Sequence, residues 1–243
     1  MTDTAGGVTA AVTYRSLRTD PTVREILAAA DAQMAAVGYT EHGIRHASKV
    51  AEVAATILRE LGRYDERQIE LVQIAGLLHD IGNMIARRPH ATSSSLIAFD
   101  LLRERGMPMS EVTQVVAAIG GHDEQEEGEP TTDIGAALII ADKADVARER
   151  VRNPVMAAFD IHDRINYAAG NTVLTVDAKS RSITLAMEID TEIGAVMEYF
   201  EIFLDRMVIS RKSARRLGCS FRLVINGVPL MYPLPQPGTP REV

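Results

Sequence analysis

His46, the adjacent pair His79-Asp80, His122 and Asp142 are the residues of this chain best suited to chemistry, and His90 is a sixth candidate. Imidazole and carboxylate together make a mixed nitrogen and oxygen ligand set for divalent metals. Four of the six histidines in the chain fall in this group. The segment Gly76-Leu77-Leu78-His79-Asp80-Ile81-Gly82 places two ionisable side chains at the end of an apolar run. Such groups are rarely buried without partners, and a metal would partner both. Taken alone, a His-Asp dipeptide arises often by chance and can be a satisfied pair in a core. The upstream His46, the downstream Asp142 and the apolar setting favour the metal reading. The bland alternatives are a solvated His122 in an acidic loop and a His90 that merely belongs to the polar stretch Arg87-Arg88-Pro89-His90.

Consecutive residues of a helix point about 100° apart, so His79 and Asp80 share a metal only if it lies between their directions. A carboxylate so placed keeps a second oxygen free to bridge to another ion. Two ions about 3.5–4 Å apart lower the pKa of a shared water and hold two phosphoryl oxygens, which makes a hydrolytic centre.

The elements that must position these residues follow from apolar spacing and stop signals. Residues 1–20 read as a flexible N-terminal tail. Asp20-Pro21 opens a first helix that ends at Gly38. Ala47, Val50, Ala51, Ala54, Ile57, Leu58 and Leu61 form the stripe of a second helix, from about Ile44 to Leu61, with His46 in its first turn. The third helix runs from about Glu66 to Ile81 and carries His79 and Asp80 in its last turn. His90 falls in the loop before a fourth helix capped by Thr92-Ser93-Ser94, and His122 follows the Gly pair that ends a fifth. A sixth helix, from Asp133 to Val151, has Asp142 in its middle, and a seventh runs from Pro154 to about Ala169. The period then changes. Thr172–Val176 and Ile183–Ile189 read as a hairpin, residues 191–217 as a long helix, and Phe221–Ile225 as a last strand. The expected architecture is mainly α: about seven helices over residues 21–170, a small β-β-α-β appendage over 171–227, and a Pro-rich tail over 228–243. Convergent element ends are where a bundle can gather distant side chains at one point.

Bulk composition narrows the class. The formal net charge of −7 argues against nucleic acid as a bulk partner. A single cysteine, Cys219, excludes an internal disulfide framework and a thiolate cluster. No apolar run is long enough to span a bilayer, and Met1 to Ala11 lacks a basic-then-apolar leader, so a cytoplasmic protein without membrane contact is the expectation.

His46, then His79-Asp80, then Asp142 resembles the H…HD…D signature of the HD-domain metal-dependent phosphohydrolases. Ala75–Gly82 looks like that family's central motif, Ile139–Asp145 like its last one, and the likeness covers about residues 40–165. The resemblance implies an HD-domain-like helical bundle in which His46, His79, Asp80 and Asp142 hold one divalent ion. Asp80 would bridge to a second ion held by His90 and His122. The ions could be Fe, Mn, Mg, Co or Ni. A bridging hydroxide would then attack a phosphomonoester or phosphodiester of a nucleotide or other small phosphorylated molecule. Lys49, Lys143 and Arg148 are the candidate phosphate contacts, with Lys49 also a candidate for catalysis beside Asp80, and Asp145 is expected to align a ligand or a basic residue. The Gly-Tyr-Pro motif of the cyclic-di-GMP branch is missing from the sequence. Two rivals use the same ligands: a di-iron oxygenase, and a metal-containing regulatory or binding module that is not an enzyme. Helix 191–217 could pair two subunits into a homodimer. One feature opposes a phosphate: the acidic loop Asp123–Glu129 follows His122 directly and would repel anions if it faced the site.

Overall fold

The structure, a computed structural model, describes residues 11–152, 155 and 160–231. The helices are α1 (Tyr14–Thr19), α2 (Pro21–Ala36), α3 (Ile44–Leu61), α4 (Glu66–Leu78), α5 (His90–Glu104), α6 (Met109–Gly120), α7 (Asp133–Lys143), α8 (Ile161–Ala168) and α9 (Val196–Arg216). Short 3-10 turns cover Ile81–Met84, Glu124–Glu126 and Arg148–Arg150. The strands are β1 (Ala169–Asp177), β2 (Ser182–Ile189), β3 (Ser220–Ile225) and β4 (Val228–Met231). The fold is the expected one, a helical bundle followed by a small sheet.

Its differences from the expectation have local causes. The stretch read as an N-terminal tail contains α1, because Thr13 and Ser16 form a capping box and Leu17 is buried. Residues 1–10 of that tail lie outside the described residues, as do 153–154 and 156–159 in the seventh expected helix, whose described part is α8. The Pro-rich tail begins with a strand. Asn226 and Gly227 both take positive φ, 51° and 76°, the geometry of a two-residue hairpin turn. They return the chain as β4 along β3, and Pro229 is tolerated there because β4 is an edge strand. The rest of that tail, residues 232–243, lies outside the described residues.

The sheet order is β1-β2-β3-β4. β1 and β2 pair antiparallel, and β2 and β3 pair parallel. The parallel pair requires a crossover, which α9 supplies, and α9 packs on α7 of the bundle as well as on β3. Tyr199, Phe203 and Met207 of α9 are buried within the same core cluster as the bundle residues Leu77, Leu138 and Ile140. Cys219, just before β3, is a buried free thiol in that cluster. Among the described residues, no helix is long and apolar enough to cross a membrane.

Two glycines fix the approach of the site-bearing elements. A Cβ at Gly76 would lie 2.6 Å from Ala51 Cα, so α3 and α4 meet backbone to backbone. A Cβ at Gly82 would lie 2.4 Å from the His90 carbonyl oxygen, so the turn after α4 sits directly on the start of α5.

Candidate metal centre and the cleft beside it

Each ligand candidate sits at an element end. His46 is in the first turn of α3, and His79 is the residue that stops α4. The expected helix to Ile81 ends early because the His79 ring nitrogen Nδ1 bonds the Gly76 carbonyl oxygen at 2.8 Å, on the residue whose carbonyl a continuing helix would need for Asp80. The chain then tightens into the 3-10 turn Ile81–Met84. His90 is the first residue of α5 rather than a loop residue, and the carboxylate of Glu126 receives the backbone N–H groups of Ala91 and Thr92. The expected caps Thr92-Ser93-Ser94 lie inside that helix. Asp142 lies in the last turn of α7, which ends at Lys143 rather than continuing to Val151.

The side chains converge. His46 Nε2 lies 3.3 Å from Asp142 Oδ1 and 3.6 Å from Asp80 Oδ2. His79 Nε2 lies 3.3 Å from Asp80 Oδ2 and 3.7 Å from Asp142 Oδ1. On the other side of Asp80, Oδ1 is 3.3 Å from His90 Nε2, and His90 Nε2 is 3.2 Å from His122 Nε2. Asp80 thus turns one oxygen to His46 and His79 and the other to His90. Potential donor atoms of His46, His79 and Asp142 lie within 4.8 Å of one another, as do those of His79, Asp80 and His122.

The opposite ring nitrogens explain why each Nε2 faces inward. His79 Nδ1 is engaged by the Gly76 carbonyl, His122 Nδ1 by the Ile119 carbonyl at 2.6 Å, and His46 Nδ1 by Asp145 Oδ2 at 2.7 Å. With a proton on Nδ1, Nε2 faces the centre, and once unprotonated it offers the lone pair that a metal-binding imidazole requires. The Nε2 atoms of His46 and His79 are buried and have no hydrogen-bond partner among the described residues. Such orphans are costly unless something absent from the chain satisfies them. The donor set, its burial and its tautomers therefore fit divalent metal.

The charges agree. Burial raises the pKa of Asp80 and Asp142, yet their histidine neighbours, and for Asp142 also Lys143, hold both well below the usual carboxylate range. Asp145 is likewise held far below that range, against its burial, by His46, Arg150 and Lys49.

The family model for the HD domain matches residues 43–148. The chain belongs to the HD-domain superfamily. That span holds all six ligand candidates and ends just after α7 has delivered Asp142 and the turn behind it Asp145. An uncharacterized protein of Methanocaldococcus jannaschii is 26% identical over 65% of this chain and 68% of its own length. Ribonuclease Y of Campylobacter hominis is 33% identical over 50% of this chain and 21% of its own, and that of Oceanobacillus iheyensis 30% identical over 49% and 21%. The HD protein thus spans about a fifth of the ribonucleases it resembles. A crystal structure described as a predicted HD superfamily hydrolase, from an uncultured Thermotogales bacterium, is 30% identical over 52% of this chain and 70% of that one, with a TM-score of 0.39.

The basic residues are distributed differently from the ligands. Lys49 Nζ lies 2.8 Å from Asp145 Oδ1, so its ammonium steadies the residue that orients His46. Lys143 is buried, with Nζ 2.8 Å from both Asp142 and Glu124. Arg148 lies apart from the HD ligands: its Nε donates to the Tyr167 carbonyl, its guanidinium stacks on that ring, and it lines a separate hollow with Gly170 and Glu188. A cleft of about 410 Å³ is walled instead by Arg87, Arg88, Arg150 and Arg206, with His42 and His162. It adjoins the centre, since Arg87 Nη1 is 3.4 Å from His90 Nε2 and the rings of His42 and His46 are 5.6 Å apart. His42 accepts from Arg150 at 3.2 Å, and burial together with that guanidinium drives its pKa well below the ordinary value, so the ring is neutral. Sequence reasoning passed over these arginines because they lie outside the motifs. The one visible cue was Arg87 and Arg88 standing immediately before a ligand histidine.

The acidic loop does not repel from this position. Asp123 accepts from the Gln125 amide, Glu124 pairs with Lys143, Glu126 caps α5, and Glu129 pairs with Lys212 of α9. These four side chains are held by local partners instead of facing the cleft as free anions.

Proposed function

We infer that this HD protein is a metal-dependent phosphohydrolase acting on a small phosphorylated molecule. The observation that carries this reading is the pair of orphaned Nε2 atoms beside two carboxylates, opening on an arginine-walled cleft. His46, His79, Asp80 and Asp142 would hold one divalent ion, and Asp80, His90 and His122 a second. The ions would supply Lewis acidity, lowering the pKa of a water and neutralising phosphoryl oxygens. The chain does the rest. Asp145 and the Gly76 and Ile119 carbonyls keep the imidazoles in the ligating tautomer. Arg87, beside His90, offers a planar set of donors to a phosphoryl group brought to the centre. Lys143 stays buried between Asp142 and Glu124 and offsets the acidic charge of the site without reaching the substrate. The ribonuclease relatives support a phosphodiester among the candidate substrates.

The test is phosphate or nitrophenol release from p-nitrophenyl phosphate and bis(p-nitrophenyl) phosphate by protein loaded with Mn²⁺, Fe²⁺ or Co²⁺. Asp80→Ala should lower the rate by at least about a thousandfold, since it removes a ligand common to both proposed ions. A variant as fast as the wild type would defeat the mechanism.

A further inference from the structure

Two arginines of the cleft, the half-buried Arg87 and the exposed Arg88, carry no carboxylate partner among the described residues. Arg87 contacts Asn83 Oδ1 and His90 Nε2, each at 3.4 Å, and lies over the Tyr39 ring. Arg88 donates to the neutral Gln125 side chain. Neither has a carboxylate at ion-pair distance among the described residues, in a protein whose net charge is −7 and which has acids to spare. Arg206, from α9, is stacked on Phe203, and its Nε lies 3.5 Å from Glu124 Oε1, while Lys143 holds the other oxygen of that carboxylate at 2.8 Å. Their partners Gln125 and Glu124 are neighbours on one 3-10 turn, and Arg88 and Arg206 both line the cleft.

We propose that Arg88 and Arg206 form a second anion subsite, and that the substrate is a small bis-anionic molecule carrying a phosphate besides the one attacked. The inference rests on the phosphohydrolase reading and specifies its substrate. Arg87, touching a ligand histidine, serves the reacting phosphoryl group. Arg88 and Arg206, held by Gln125 and Glu124, are set to take the second phosphate. The cleft volume suits a small ligand rather than a polymer chain. Asp160 and Asp163 at the start of α8 also line it and would meet hydroxyl or amino groups on the body of the ligand. On this account the appendage contributes to recognition, because Arg206 and Phe203 both come from α9.

The probes are adenosine 3′,5′-bisphosphate and p-nitrophenyl phosphate. For Arg88→Ala and for Arg206→Gln, the ratio of kcat/KM for the bisphosphate to that for the nitrophenyl ester should fall about tenfold, the scale of one lost charge-assisted bond to phosphate. Arg88→Lys should recover part of it. Calorimetric titration of the bisphosphate into metal-free protein gives a readout independent of turnover, and affinity there should also fall about tenfold in each variant. Ratios and affinities within twofold of wild type would overturn the proposal. If the wild type turns over neither compound but the metal-free titration shows the arginine dependence, the hydrolase reading fails and the subsite stands.

Discussion

His46 shows how the fold orients a candidate ligand. Its Nδ1 is bound by Asp145, which is itself fixed by Lys49 and by the backbone-anchored Arg150. The imidazole is therefore oriented before any ion arrives. Asp145→Asn keeps the shape but removes the charge, and it should weaken divalent metal affinity about tenfold, measured by competition with a chromogenic chelator. Affinity equal to wild type would show that Asp145 does not orient the ligand. His79 gives a pH dependence. Burial alone would lower its pKa, but Asp80 and Asp142 outweigh that and raise it to about 10 in the metal-free protein. Metal must displace that proton. Affinity should accordingly rise about tenfold per pH unit below that pKa and level off above it. His122, taken down to about 3 by burial and by His90 and His79, is already neutral near neutrality and adds no such slope. A flat profile in chelator competition would contradict this. At this scale the ligand types were legible in the sequence. The residue that aligns His46 was expected only in outline, since which side chain Asp145 meets depends on α3 and α7 lying together.

At the scale of elements, the site depends on how close α3 and α4 come. Gly76 removes the side chain that would hold them apart, and the contact brings the rings of His46 and His79 to a centroid distance of 5.2 Å. Gly76→Val should destabilise the fold by about 3 kcal/mol, because overpacking here meets backbone rather than a movable side chain. Urea unfolding monitored by circular dichroism would measure it, and an unchanged midpoint would count against the close contact. Periodicity located α3 to its ends and α9 and the hairpin nearly so. It overran at α4 and α7, where apolar spacing continues past the true stop. Both helices end at ligand candidates, and at α4 the His79 ring competes with the helical pattern by taking the Gly76 carbonyl. It also missed β4, whose turn signal Asn226-Gly227 was overshadowed by the prolines that follow.

At the scale of the molecule, bundle and appendage share one core through α9, which packs on α7, the helix that carries Asp142. The arginine cleft is a product of this assembly: Arg87 and Arg88 precede α5, Arg150 follows α7, and Arg206 comes from α9. No spacing rule unites residues so far apart, which is why the cleft was invisible in the sequence while the HD ligands, carried by short motifs, were not. Whether the acidic loop faces the site stays open in the sequence for the same reason, since its partners Lys143, Lys212 and the start of α5 are distant along the chain.

The central claim is that the four histidines and two aspartates form a centre for two ions. Elemental analysis of protein dialysed after loading with Mn²⁺ or Fe²⁺ tests it directly, in wild type and in His122→Ala. The account predicts two ions per chain in the wild type and one in the variant, whose remaining ion is held by His46, His79, Asp80 and Asp142. A wild type that retains no metal, or a variant that retains as much as the wild type, would contradict it.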